Sequence, residues 1–225
     1  MTNIKGLIFD LDGTLTLSQQ YHYQAFARVF KKYGITYTKE EDKYEYAGKG
    51  SRCTFPEVFA KHGKKLTDEE IEKLSSEKKE VYDRIISKAK IKGVPGVKTF
   101  LERMKKRGLK MIVASGNKAE SIDFILKKTK IRKYFKEFIT NKDVKKSKPA
   151  PDIFLAAAKK LGLKPYECIV FEDAVNGIHA AKAGGIPCVA LTTGIRKKDL
   201  AAAGAKMVVS DYNSISDTIL FGKNP

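Results

Sequence analysis

Gly6-Leu7-Ile8-Phe9-Asp10-Leu11-Asp12-Gly13-Thr14 is the stretch on which the fold turns. A short apolar run ends in two carboxylates one residue apart, and Gly and Thr follow at once. Within a strand, side chains alternate between faces, but the end of the strand releases that constraint. Asp10 and Asp12 can therefore leave a sheet edge together, where open α/β folds place their ligands. Two such acids suit a hard cation, or a nucleophile paired with a proton carrier. Gly13 permits the sharp turn. A calcium loop also opens Asp-x-Asp, but it needs Gly at its sixth position and Glu at its twelfth, where this chain has Leu15 and Tyr21. An ordinary Asp-Gly turn after a strand stays open on this stretch alone.

Three later segments weigh against that turn. Ile112-Val113-Ala114 ends in Ser115-Gly116-Asn117; Ser147-Lys148-Pro149-Ala150-Pro151-Asp152 sets a lysine before a proline-opened helix; Ile169-Val170-Phe171 ends in Glu172-Asp173. Taken singly, Ser115 could be a helix N-cap, Lys148 a surface lysine, and Glu172-Asp173 the cap of the next helix. Taken together they outline one site at the carboxyl edge of a parallel sheet.

The hydrophobic pattern gives the frame. After a strand at about Lys5–Asp10 comes a mostly helical stretch from about Ser18 to Lys90. Ala25, Phe26, Val29 and Phe30 form a helical stripe in it, and Thr67-Asp68-Glu69-Glu70 reads as a capping box. From Val97 helix and strand alternate, with strands at Leu109–Ala114, Glu137–Thr140, Glu167–Phe171, Pro187–Leu191 and Met207–Val209. This predicts an α/β fold: a doubly wound, Rossmann-like parallel sheet with helices on both faces. The catalytic core is expected at residues 1–16 and 92–225, and an inserted helical cap at 17–91.

The chain resembles the haloacid dehalogenase superfamily, and within it the β-phosphoglucomutase-like phosphatases and mutases. Asp10-Leu11-Asp12-Gly13-Thr14, Ser115, Lys148 and Glu172-Asp173 match its four motifs in order. The resemblance implies Asp10 as the nucleophile and Asp12 as the general acid and base, with Ser115 and Lys148 completing the catalytic set. It implies Mg²⁺ as cofactor, held by Asp10, the main-chain carbonyl of Asp12, and Asp173, with Glu172 beside them. Ser115 and the amides of Gly116 and Asn117 would cradle phosphate oxygens, aided by Lys118. In the cap, His22, Arg52 and Lys78 fall where relatives of this branch engage a sugar phosphate, although His22 could be structural and Lys78 part of a solvated face. Leu17, Lys49 and Ala119 depart from the mutase pattern. The function implied is an Mg²⁺-dependent phosphatase of a small phosphomonoester, expected to be a sugar phosphate. The alternative is a mutase interconverting β-glucose 1-phosphate and glucose 6-phosphate.

Composition fits an enzyme of this size. The 225 residues are 42% hydrophobic and 31% charged, typical of a soluble globular protein. No apolar run approaches membrane-spanning length, and a first strand so near residue 1 leaves no signal peptide to expect. Cys53, Cys168 and Cys188 lack metal spacing and read as thiols in a reducing, cytoplasmic setting. The net charge of +18 raises nucleic-acid binding as a rival function. The lysines are spread over several predicted helices with no nucleic-acid motif, so a solvated basic surface that steers anionic metabolites is the preferred reading. A monomer is expected.

Overall fold

The computed structural model describes residues 4–222. Six strands form one wholly parallel sheet: β1 Gly6–Phe9, β2 Lys110–Ser115, β3 Phe138–Thr140, β4 Cys168–Glu172, β5 Cys188–Leu191 and β6 Met207–Val209. Their spatial order is β3-β2-β1-β4-β5-β6, so β1 is central and pairs with β2 on one side and β4 on the other. Every residue of β1 is buried, because helices cover both faces. Alternation divides its side chains. Leu7 and Phe9 join one core cluster, and Ile8 joins the other. Phe9 stacks on Phe171 of β4 at 4.9 Å between ring centroids, and Phe100 and Phe135 meet it edge-on.

Helices α1 (Gln19–Lys31), α2 (Lys39–Glu41), α3 (Ser51–Lys61) and α4 (Asp68–Lys88) lie between β1 and the rest of the sheet in chain order. A π-helix, Asp42–Tyr46, follows α2 directly. The stripe Ala25, Phe26, Val29 and Phe30 is buried on α1, and Phe26 and Phe30 pack on Phe55 of α3. Thr67 and Glu70 form the capping box that opens α4. The chain leaves and re-enters the sheet layer side by side: the Leu17 amide donates to the Lys92 carbonyl, and the Val94 amide to the Leu15 carbonyl.

The remaining helices are α5 Val97–Lys106, α6 Ala119–Lys128, α7 Asp152–Lys160, α8 Val175–Ala183, α9 Lys197–Ala202 and α10 Asp217–Phe221. The strands predicted after Val97 are all present. The pattern did not separate α3, in which Pro56 interrupts the helical signal, nor the π-helix, α9 and α10, which are short. Cys168 and Cys188 are buried, Cys53 is half-buried, and all three are free thiols. Among the described residues no helix is long and apolar enough to cross a membrane.

Close packing of α8 on the end of β4 depends on a missing side chain. A Cβ on Gly177 would stand 1.8 Å from Glu172 Oε1, in a buried carboxylate that cannot step aside. Gly177→Ala is therefore expected to destabilise the protein by about 1–3 kcal/mol through overpacking, although alanine alone would favour the helix by about 1 kcal/mol. Urea unfolding of the two proteins measures the difference.

Candidate active site

The site lies at the carboxyl ends of β1, β2 and β4. Asp10 follows β1 directly, and Gly13, at φ +84°, turns the chain back beneath the sheet edge. The turn also makes room: a Cβ on Gly13 would sit 2.0 Å from Asp173 Oδ2. Thr14, fully buried, donates through Oγ1 to Asp173 Oδ1 at 3.0 Å. The first motif and the end of β4 are thus in direct contact.

Lys148 binds them together. Its Nζ donates to Asp10 Oδ1 and to Glu172 Oε1, each at 2.6 Å, and is buried in doing so. Burial works against this ammonium, but Asp10 and Glu172 more than offset it and hold its pKa above the ordinary lysine value. Asp10 answers differently. Burial is the largest influence on it; Lys148 opposes, but Glu172 and Asp12 add to the repulsion, and its pKa is raised to about 7. Asp173 is also pushed well up, by burial and by the charges of Glu172 and Asp10. Three carboxyl groups share one ammonium, so full ionisation of the cluster needs positive charge that the protein's own side chains do not supply.

Glu172 is fully engaged. Oε1 takes Lys148, and Oε2 accepts from the amides of Asp173 and Ala174 at 2.7 and 2.8 Å. Both oxygens are thus occupied by the protein's own donors. Glu172 fixes Lys148 and the turn that presents Asp173.

Asp12 belongs to a second network. Ser18 Oγ donates to Oδ1 at 2.5 Å, and Asn117 Nδ2 donates to Oδ2 at 2.6 Å. His22 Nε2 lies 3.2 Å from the same Oδ2. The other ring nitrogen, Nδ1, is 2.7 Å from Lys78 Nζ. An ammonium only donates, so Nδ1 accepts and Nε2 carries the proton toward Asp12. Burial and the nearby Lys78 keep the His22 pKa below its ordinary value, in keeping with that neutral tautomer. Burial disfavours the Asp12 carboxylate too, but His22, Ser18 and Lys78 together lower its pKa. Tyr82 stacks on the His22 ring at 4.1 Å and locks its orientation.

A cleft of about 100 Å³ joins the two networks. Asp10, Asp12, His22, Lys78, Ser115, Gly116, Asn117, Lys148, Glu172 and Asp173 line it, so most residues singled out from the sequence converge there. Two do not. Arg52 is exposed and turns away to pair with Glu72 at 2.7 Å. Lys118 is exposed at the N-cap of α6, outside the lining. Neither lines the cleft in this conformation. Asn117, expected to offer its amide, also holds Asp12 with its side chain. Gln19, Asp42 and Ser51 line the cleft as well, and sequence reasoning missed them.

The family profile described as haloacid dehalogenase-like hydrolase matches residues 7–191. The chain belongs to that family. Among its relatives is a phosphorylated carbohydrates phosphatase of Thermotoga maritima, 30% identical over 184 residues, covering 81% of this chain and 82% of the relative. Another is the fructose-1-phosphate phosphatase YqaB of Escherichia coli, 31% identical, covering 82% of this chain and 94% of the relative. The solved β-phosphoglucomutase of Clostridium difficile superposes with a TM-score of 0.84 at 27% identity, over 96% of this chain and 95% of that one. This haloacid dehalogenase-like hydrolase therefore shares its fold with both phosphatases and a phosphomutase.

The charge excess in the site makes a stability prediction. Asp10 has a folded pKa of about 7 against an ordinary 3.8. The folded protein keeps this proton where the unfolded chain has lost it, so the group's stabilising contribution is full below pH 3.8 and is lost as pH rises through 7. Without divalent cations, Asp10→Asn should gain stability over the native protein as pH rises from 5 to 8, reaching roughly 1–3 kcal/mol. Urea unfolding in chelator across that range checks this; a variant less stable at pH 8 would mean that the Lys148 pair outweighs burial.

Proposed function

We propose that this protein is an Mg²⁺-dependent phosphatase that hydrolyses a small phosphomonoester, a sugar phosphate, through an aspartyl-phosphate. The observation that carries the reading is the presence in one cleft of two carboxylates with different partners. Asp10 is held by a buried ammonium, and Asp12 is held by three hydrogen-bond donors. The named activities of YqaB and of the Thermotoga phosphatase support the substrate class.

In the first half-reaction an Asp10 oxygen attacks phosphorus and the bond from phosphorus to the ester oxygen breaks. Asp12, which the three donors favour as the carboxylate here, must first take up a proton; it then gives that proton to the departing oxygen, and the alcohol leaves. In the second, water attacks the aspartyl-phosphate, Asp12 takes the proton, and the Asp10 carboxylate is restored. Lys148 holds Asp10 in line and offsets charge on the transferring phosphoryl group. Ser115, with the amides of Gly116 and Asn117, lies where phosphate oxygens would rest.

The donor set fits Mg²⁺. Among the described residues no three acidic, histidine or cysteine side chains form a ready-made cage. The donors would be the Asp10 and Asp173 carboxylates and the Asp12 main-chain carbonyl, an oxygen set that leaves room for the waters Mg²⁺ retains. When bound, the ion would supply the positive charge that the three carboxylates lack, so that an anionic substrate can approach. Residues 17–91 would form a cap whose two adjoining connections act as the hinge, closing the cleft against water.

The mutase reading needs a place for a second phosphate. Superposition on the β-phosphoglucomutase favours it, as does the presence of His22 and Lys78 in the cleft. The pairing of Arg52 with Glu72 outside the cleft weighs toward the phosphatase.

Asp10→Asn should fold and release no measurable phosphate from any substrate, because its amide cannot form the acyl phosphate. Chelator should abolish native turnover, and Mg²⁺ should restore it. A phosphate-release assay on aryl and sugar phosphates decides both; normal turnover by Asp10→Asn, or after exhaustive chelation, would overturn the mechanism.

Loss of Asp12 should separate leaving groups. Asp12→Ala should slow release from sugar phosphates by roughly 10²–10⁴-fold. An activated aryl phosphate, whose leaving group needs little protonation, should suffer much less. Equal losses on both substrates would remove Asp12 from the proton-transfer role.

A further inference from the structure

Asp42 is a buried carboxylate in the wall of the cleft, and the mechanism above gives it no task. It opens the π-helix Asp42–Tyr46 on the cap side, opposite the catalytic acids. Such helices are rare and frequent at functional sites. Tyr37 Oη donates to its Oδ1 at 3.0 Å, and Gln19 lies beside it. Among the described residues no cation stands within ion-pair distance of it. Burial raises its pKa to about 6, so at pH 7.5 it is chiefly ionised.

The cations around it are otherwise engaged. Lys49 pairs with Glu57 at 2.6 Å, and Arg52 with Glu72 at 2.7 Å, both away from the cleft. Lys78 lines the cleft, but its ammonium is directed to His22 Nδ1 and rests over the rings of Phe26 and Tyr82. Beside Lys78, whose ammonium is committed to His22 and acts on Asp42 only across a longer distance, the distal wall offers a carboxylate, the Gln19 amide and the Ser51 hydroxyl. These three are partners for hydroxyl groups, and the carboxylate among them repels a phosphate placed against it.

We propose that Asp42 determines specificity: its carboxylate accepts hydrogen bonds from the hydroxyls of a sugar monophosphate and repels a second phosphate on the same sugar. This rests on the phosphatase reading and narrows it, because a mutase must hold a bisphosphate in mid-cycle. A carboxylate that takes two sugar hydroxyls forms charge-assisted bonds whose loss weakens binding by about 10- to 100-fold.

The test reads affinity apart from turnover. Calorimetry with Mg²⁺ on the Asp10→Asn protein would use inorganic phosphate, glucose 6-phosphate, fructose 1-phosphate, ribose 5-phosphate and glucose 1,6-bisphosphate. At least one sugar monophosphate should bind more tightly than inorganic phosphate and at least about 10-fold more tightly than the bisphosphate. Adding Asp42→Asn, which keeps an acceptor for Tyr37, should weaken that monophosphate about 10-fold and Asp42→Ala by up to 100-fold. Inorganic phosphate should bind all three proteins alike, which also reports an intact fold. The bisphosphate should bind Asp42→Asn better than its parent.

The assignment is overturned if no sugar monophosphate exceeds inorganic phosphate, if the bisphosphate binds as well as the best monophosphate, or if the Asp42 variants weaken every ligand equally. Phosphate release by the native protein, followed in parallel, keeps the two ideas apart. No release with the Asp42-dependent affinities intact would sink the phosphatase reading alone. Release from sugar phosphates that is indifferent to Asp42 would sink the specificity assignment alone.

Discussion

A lysine ammonium removed from water needs carboxylate partners, and carboxylates removed from water need a cation. Lys148 meets both demands at once. Its two 2.6 Å contacts tie the end of β1, through Asp10, to the end of β4, through Glu172. Glu172 then anchors the next two amides, and these carry Asp173 to Thr14 in the first turn. The glycines at 13 and 177 exist to let these carboxylates in, since a methyl group at either would overlap one of them. Two strand ends and the turns that follow them therefore share one electrostatic centre, and each constrains the others.

The second centre joins the two layers of the molecule. Asp12 belongs to the sheet edge, whereas His22 and Lys78 come from α1 and α4. The helices therefore govern the charge state of Asp12 and the shape of the cleft mouth together. A movement of the helical layer would remove the His22 bond from Asp12 and leave only Ser18 and Asn117 to hold it. In the proposed mechanism, closure and proton transfer would in this way be physically connected.

The sheet was legible because strands buried on both faces must be apolar throughout, so their ends are marked by the first polar residue. At β1, β2 and β4 those residues are Asp10, Ser115 and Glu172, and all reach the cleft. Long side chains on the helical layer were not legible in the same way. Sequence places Arg52 near the cleft, but a flexible cation is directed by its acid partner, and that partner, Glu72, lies on another helix. Asp42 was hidden for the opposite reason. It follows Glu40 and Glu41 in what reads as a solvated acidic run, and only the π-helical turn brings it inward. Asn117 was noticed for its backbone, while its side chain holds Asp12.

The position of β1 also bears on how the chain reaches this state during synthesis. Gly6 pairs with Lys110 on one side and Cys168 on the other, so the central strand is made long before either neighbour exists. The four helices that follow it pack among themselves and can settle from local contacts, which form fastest. Meanwhile Leu7, Ile8 and Phe9 wait as an unpaired apolar strand, the kind of edge that invites association with other nascent chains. The catalytic centre cannot form in any shorter product of the ribosome, because Asp10, Lys148 and Asp173 meet only once β4 and the turn after it have been added.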